Sequence, residues 1–455
     1  MPKVTKQTRD SRVRLIRSMK SSNTSCARLG IIALLFFTAG VSQSNASATL
    51  LLEEPYGHLG AFTQTGHAAV YLDRVCADTP TVLRRCADGE TGVVISRYDK
   101  VGGYDWLAIP LIPYLYAVQS PEDIPLFANP KLVAFLRDQY RRKYLEEIAP
   151  DDKDNNGEPP EGNWTQLIGS AYDRTIYGFE IQTSETQDDN FIREYNSRPN
   201  RSRFNLLTRN CADFARGVIN FYYPKTLHRN LFADAGITTP KQMARLIVKF
   251  GGRHPELEPS SFVIPQVPGS VLRSTPVHGV VESVLKSKKY MLTIAILHPV
   301  VAGCLLAGYM GVDRFDPAKH AMVMDSGPSL APPLASAERR SYADQLHLLA
   351  RLDPQLKIKR IQKAWESLQQ DGEPELDPEG RPMLKMRVGN DSVDVGVARD
   401  NILSTPAPPA LTGELLAARL HEELKRGDAP KASQTEVNSD WDMLQQVLPQ
   451  QAKLQ

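Results

Sequence analysis

The chain has 455 residues, 54 Lys+Arg against 52 Asp+Glu for a formal charge of +2, and 33 prolines beside only 7% aromatic residues. A near-neutral balance with no basic, aromatic-interleaved stripe excludes nucleic acid as the expected partner, and the length allows one sizeable domain with appendages or two domains. Five cysteines are too few for a disulfide framework, and the proline content marks part of the chain as linker.

The first segment reads as a targeting signal. Lys3, Lys6, Arg9, Arg12, Arg14, Arg17, Lys20 and Arg28 form a basic arm, residues 29–41 are an apolar run, and Ala46-Ser47-Ala48 is a cleavage site of the A-x-A type. Thirteen apolar residues are short for a bilayer span. Residues 1–48 are therefore expected to be a signal peptide, or else an uncleaved anchor, which places the body of the protein in the periplasm or otherwise outside the cytoplasm. Cys26 precedes the apolar run, the wrong side for a lipid-modified cysteine.

Residues 49–265 form the expected globular unit. Small and β-branched residues predict strands over 66–72 and 91–98. Between them Cys76 and Cys86 are expected to close a local disulfide in an oxidising compartment, the alternatives being two thiols or an incomplete metal site. Residues 106–118, broken by Pro110 and Pro113, read as a loop wall or short strand. Helical periodicity covers 131–148 through Leu132, Phe135, Leu136, Tyr140 and Tyr144. In the acidic insertion 151–162, Asp152, Asp154, Asn156 and Gly157 imitate the start of a calcium loop. Asn163 stands where the last ligand should be and Pro159-Pro160 spoils the second half, so a solvated loop is expected. A strand follows over 175–183, then a helix reaching Asn196, and later a short helix over 240–250.

The remainder carries little chemistry. The Pro/Ser-rich stretch 255–276 reads as a linker, with the connection to the next region placed at 266–289. Residues 290–312 contain no charge, and 23 such residues predict a transmembrane helix kinked at His298-Pro299, with a buried hairpin as the alternative. Lys286, Lys288 and Lys289 flank it on the side that an exported domain would place outside, against the positive-inside preference. Residues 313–455 are expected to be partly helical (337–352, 358–370, 411–426), with a hairpin over 382–397 and disorder over 325–335 and 427–455. No internal repeat is present.

The chemistry centres on Arg209-Asn210-Cys211-Ala212-Asp213-Phe214-Ala215. Phe214, Ala215, Val218, Ile219 and Tyr222 recur at the spacing of one buried helical face. Asn210 is placed as N-cap and Cys211 in the first turn, where unpaired amides and the helix dipole favour a thiolate. A nucleophilic thiolate needs a base, and imidazole titrates in the useful range. Of nine histidines, His58 and His67 fall in the strand region of the main unit. His67, on a strand and sharing a face with Ala69 and Tyr71, is the better platform.

A Gly-His-Ala-Ala-Val-Tyr strand followed much later by Asn-Cys-x-x-Phe at a helix start resembles the circularly permuted papain-like superfamily, in which the His strand precedes the Cys helix. His67 to Tyr71 resembles the His strand of lecithin retinol acyltransferase relatives. Asn205-Leu206-Leu207-Thr208-Arg209-Asn210-Cys211 is more similar to the amino-terminal periplasmic domain of lipoprotein N-acyltransferases. The resemblance covers roughly residues 50–225 and implies an α+β papain-like fold, an antiparallel sheet packed on helices. It implies Cys211 as nucleophile and His67 as base, forming an acyl thioester that passes to water, an amine or an alcohol. Two departures matter. Ala212-Asp213 replaces the Glu-His of the retinol acyltransferase box, which weakens that substrate class. The residue orienting the imidazole is also not the usual one: Ser96 is preferred over Asp99, which lies past the strand end. The oxyanion is assigned to the Cys211 amide and the Asn210 side chain, with Asn210 as a mere cap the alternative.

The expectation is a thiol-dependent acyltransferase or hydrolase acting on acyl ester or amide bonds at the membrane, on a membrane lipid or lipoprotein. A cell-wall peptide amidase and a non-catalytic binding or anchoring module are the alternatives. No cofactor is expected. Neither motif has a second ligand at metal spacing, so no metal is expected either.

Overall fold

The structure, a computed structural model, describes residues 47–57, 64–125, 127–151, 160, 163–201, 204–230, 234, 236–267, 269–310, 315–319, 321–324, 330–331, 370–388 and 391–398. The basic arm and apolar run, His58, most of the acidic insertion, the helices expected over 337–352 and 411–426, and all but residue 370 of the helix expected over 358–370 lie outside these residues.

An apolar run that needs both its faces covered makes the spine. Strand β1 (Ser47–Glu53, SATLLLE) is buried at all seven positions. It pairs antiparallel with β2 (His67–Leu72) on one side and β7 (Ile176–Gln182) on the other. Beyond β2 follow β5 (Val93–Ser96) and β6 (Leu107–Pro110). Beyond β7 lie β8 (Ser260–Ile264), β9 (Met322–Met324) and β10 (Leu330–Ala331). The eight-stranded sheet is antiparallel except for the β8–β9 pair. The strands β3 (Val75–Thr79) and β4 (Val82–Arg85) form a separate ribbon, and Cys76 and Cys86 are joined in the expected disulfide. The strands β11 (Glu373–Leu376), β12 (Pro382–Val388) and β13 (Asp391–Gly396) form a small sheet that contains the expected hairpin.

Alternation along the strands divides the core in two. Leu51, Ala69, Val94 and Ile109 face one way, toward α1 (Leu111–Tyr116), α2 (Pro130–Tyr144) and α3 (Ser170–Asp173). Leu50, Leu52, Ala68, Val70 and Ile95 face the other way, toward α4 (Glu185–Ser197), α5 (Cys211–Tyr222) and α6 (Pro240–Gly251). Helices α7 (Val280–Lys286), α8 (Lys288–Leu297) and α9 (Pro299–Gly308) complete the described elements that bear on the site.

Four expectations need correction. No described helix is long and apolar enough to cross a membrane. The 23-residue apolar stretch breaks at His298 into two ten-residue helices, because Pro299 can open a helix but not continue one, and the α+β fold carries no transmembrane helix there. The stretch read as linker contributes β8 to the main sheet. Its continuation is packed as well, with Gln266, Val267 and Val277 buried. Ser47 and Ala48, assigned to the leader, are buried residues of β1, so the folded unit starts two residues earlier than the expected boundary. Residues 106–118 form a strand and then a short helix rather than a loop wall.

Candidate active site

Cys211 opens α5 because the residues before it form a cap. The Asn210 side chain accepts the Asp213 amide at 2.9 Å, and Asp213 accepts the Asn210 amide in return, closing a capping box. The Asn210 amide group also donates to the Leu206 and Thr238 carbonyls at 2.9 and 3.1 Å. Both of its protons are thus used, so Asn210 holds the helix start and has none to give an oxyanion. Arg97, clamped to Asp105 through two bonds of 2.6 and 2.9 Å, reaches the Asn210 carbonyl at 3.5 Å and lies over the Phe214 ring. The first turn carrying the sulfur is fixed from three sides.

His67 opens β2. Ser96 Oγ donates to the Ala68 carbonyl at 2.9 Å and lies 2.9 Å from His67 Nε2. A hydroxyl has one proton, and that proton is already placed, so the imidazole donates. This network assigns the proton to Nε2 and the lone pair to Nδ1, with Ser96 fixing the tautomer. Tyr98 stacks on the ring, centroids 5.0 Å apart and planes 20° apart. Backbone N–H groups of Ala68 and Ala212 lie near the Cys211 sulfur and favour its ionised form, which sets it beside the residue that follows His67. Asp99 lies on the same cavity wall, but Ser96 makes the contact with the imidazole.

Below this pair lies a group that sequence reading missed. Glu53, directly opposite His67 in the β1–β2 register, is buried, accepts the Tyr114 hydroxyl and pairs with Arg174 at 2.9 Å. Arg174 also stacks over the Tyr56 ring at 4.3 Å. These residues come from β1, α1 and the entry to β7, too far apart in sequence for any local pattern to join them. The one available signal was an acidic pair, Glu53-Glu54, ending an apolar strand.

Burial dominates the electrostatics. It lowers the His67 pKa to about 3, with the Arg174 cation adding to the effect. It raises the Cys211 thiol to about 11, against the backbone amides that favour the thiolate; the Glu53 charge raises it further and Arg174 opposes. The resting pair is neutral thiol and neutral imidazole, not the thiolate that the helix terminus alone predicts.

Both groups open into a cavity of about 920 Å³. Its wall mixes Gln64, Gln166 and Arg97 with an apolar side made by Leu206, Leu207 and residues of α7, of which Leu206 and Leu207 are exposed. The volume is that of a site for a small molecule or a segment of a larger one. Among the described residues one cluster has metal-ligand chemistry, Cys76, Cys86 and Glu90, and its two sulfurs are bonded to each other. Comparison with protein-family models, with characterised proteins and with solved structures finds no match to this chain.

Proposed function

We propose that the protein is a thiol-dependent acyltransferase or hydrolase of the papain-like kind, working outside the cytoplasm at a membrane face. The observation that carries this reading is the Ser96–His67 hydrogen bond. It leaves the Nδ1 lone pair free to take a proton while the Cys211 sulfur lies beside the next backbone amide of the same strand. In the first step the sulfur attacks an acyl carbonyl carbon while Nδ1 takes the thiol proton, so no free thiolate has to persist. The carbonyl oxygen gains charge beside the Cys211 amide at the positive end of α5. The imidazolium then gives its proton to the departing alcohol or amine, leaving a thioester on Cys211. Water, an amine or an alcohol attacks that thioester after losing its proton to Nδ1, and the proton returns to sulfur as the product leaves.

The apolar side of the cavity favours a lipid acyl ester or amide, from a membrane lipid or lipoprotein, over a cell-wall peptide. Turnover of phospholipid and of peptidoglycan fragments by wild type and Cys211→Ala tests the proposal. Phospholipid turnover that vanishes with Cys211 is expected, and cleavage of peptide fragments alone would make the protein an amidase of the same chemistry. Equal turnover by both proteins would refute the thiol mechanism. The neutral resting state of thiol and imidazole favours one rival, a binding or anchoring module with an unproductive Cys–His pair. On that reading neither substrate is turned over.

A further inference from the structure

We infer that α8 and α9 form a monotopic docking hairpin that enters one leaflet of an anionic membrane and holds the cavity mouth at the lipid surface. The two helices fold back on themselves. Helix α7 packs against both, and the Tyr309 hydroxyl just past α9 returns to Glu282 of α7 at 3.4 Å, so His298-Pro299 is the far tip. Leu292, Ile296, Leu297, Val300, Val301 and Leu306 are 49–77% exposed, and Ala302 is the buried residue between the arms. A helix apolar on every side is stable only where every side is covered, and in water these are not.

Length and charge choose the occupant. Ten residues at 1.5 Å each reach roughly 15 Å, about half the hydrocarbon thickness, so the hairpin fits one leaflet and does not span. No charge interrupts residues 290–312, whereas Lys286, paired with Glu282 at 2.8 Å, Lys288 and Lys289 precede that stretch in the chain, at the hairpin's base and thus at the level of anionic headgroups. Val280, Val284 and Lys286 of α7 line the same cavity as Cys211. The docked hairpin therefore turns that wall toward lipid. Docking stands apart from the thioester chemistry; only the corollary, that an acyl chain enters from the leaflet, rests on the proposed function.

Cys304, a free and exposed thiol on α9, supplies the probe. In the full chain carrying Cys26→Ser and Cys211→Ser, Cys304 is labelled with a polarity-sensitive dye and titrated with phosphatidylglycerol/phosphatidylcholine vesicles. We expect a blue shift, quenching by lipids brominated in the acyl chain, and protection from aqueous iodide, all weaker on phosphatidylcholine alone. Leu297→Asp with Val300→Asp at the exposed tip should lower dye partitioning by at least about 100-fold, with circular dichroism and melting unchanged. A dye that stays open to iodide on vesicle-bound protein overturns the inference and assigns binding to the amino-terminal segment. Protection without lipid also overturns it. Concentration dependence would then identify a second copy as the cover, and its absence another segment of the same chain.

Discussion

At Cys211 and His67 two effects of opposite sign compete. The helix terminus favours a thiolate by roughly 0.3–2 kcal/mol, whereas burial raises the thiol to about 11 and lowers the imidazole to about 3. Burial wins, so proton transfer has to accompany attack instead of preceding it. Alkylation of Cys211 by iodoacetamide, followed by peptide mass with exposed Cys304 as internal reference, should therefore accelerate about tenfold per pH unit from 7 to 10. A plateau below pH 8 would mean a preformed thiolate. The same shifts set the pH dependence of stability. Between about pH 3 and 6.5 the unfolded chain protonates this imidazole and the folded chain does not, so this contribution to stability rises with pH across that window. Between about pH 9 and 11 the unfolded chain ionises the thiol first, and stability falls as pH rises. At pH 5 the histidine contribution amounts to about 2 kcal/mol. His67→Gln should thus lose less melting temperature between pH 7 and pH 5 than wild type. An equal loss would show that this imidazole does not resist protonation in the fold.

Among the elements, the site stands where β1, β2, β7 and α5 converge, and the Glu53–Arg174 pair ties three of their surroundings together. Breaking a buried pair on one side strands a charge, at a cost of about 3–5 kcal/mol. Arg174→Met should lower the unfolding free energy measured by urea titration by that much, and adding Glu53→Gln should restore a large part of it. Strictly additive costs would show that the two are not coupled. The His strand and the Cys helix were legible in the sequence because each is a local pattern: small residues around His67, and a helical apolar stripe after an Asn cap. The spine β1 was not, because both its faces are buried and its Leu50-Leu51-Leu52 run follows closely on the apolar leader, with no alternation to mark a strand. The pair α8–α9 was read as one span because hydropathy counts apolar length, and the break at His298-Pro299 outweighs that length.

In the whole molecule, order along the chain conveyed the central relation, an imidazole strand early and a thiol helix late, and the sheet brings them to one cavity. Ser96 was reachable from sequence because the resemblance implies an orienting residue on the strand after the His strand, and that strand offers only Ser96 or Asp99. Tyr98, Glu53, Arg97 and Arg174 surround the site through tertiary contacts, which no periodicity encodes. The proposed thiol mechanism requires a covalent acyl intermediate. Wild-type protein mixed with an activated short-chain acyl ester, acid-quenched within milliseconds and digested, should yield the Cys211 peptide heavier by one acyl group and labile to hydroxylamine. His67→Ala should form that adduct at least about 100-fold more slowly. Substrate consumed at wild-type rate with Cys211 unmodified at every quench time would contradict the account.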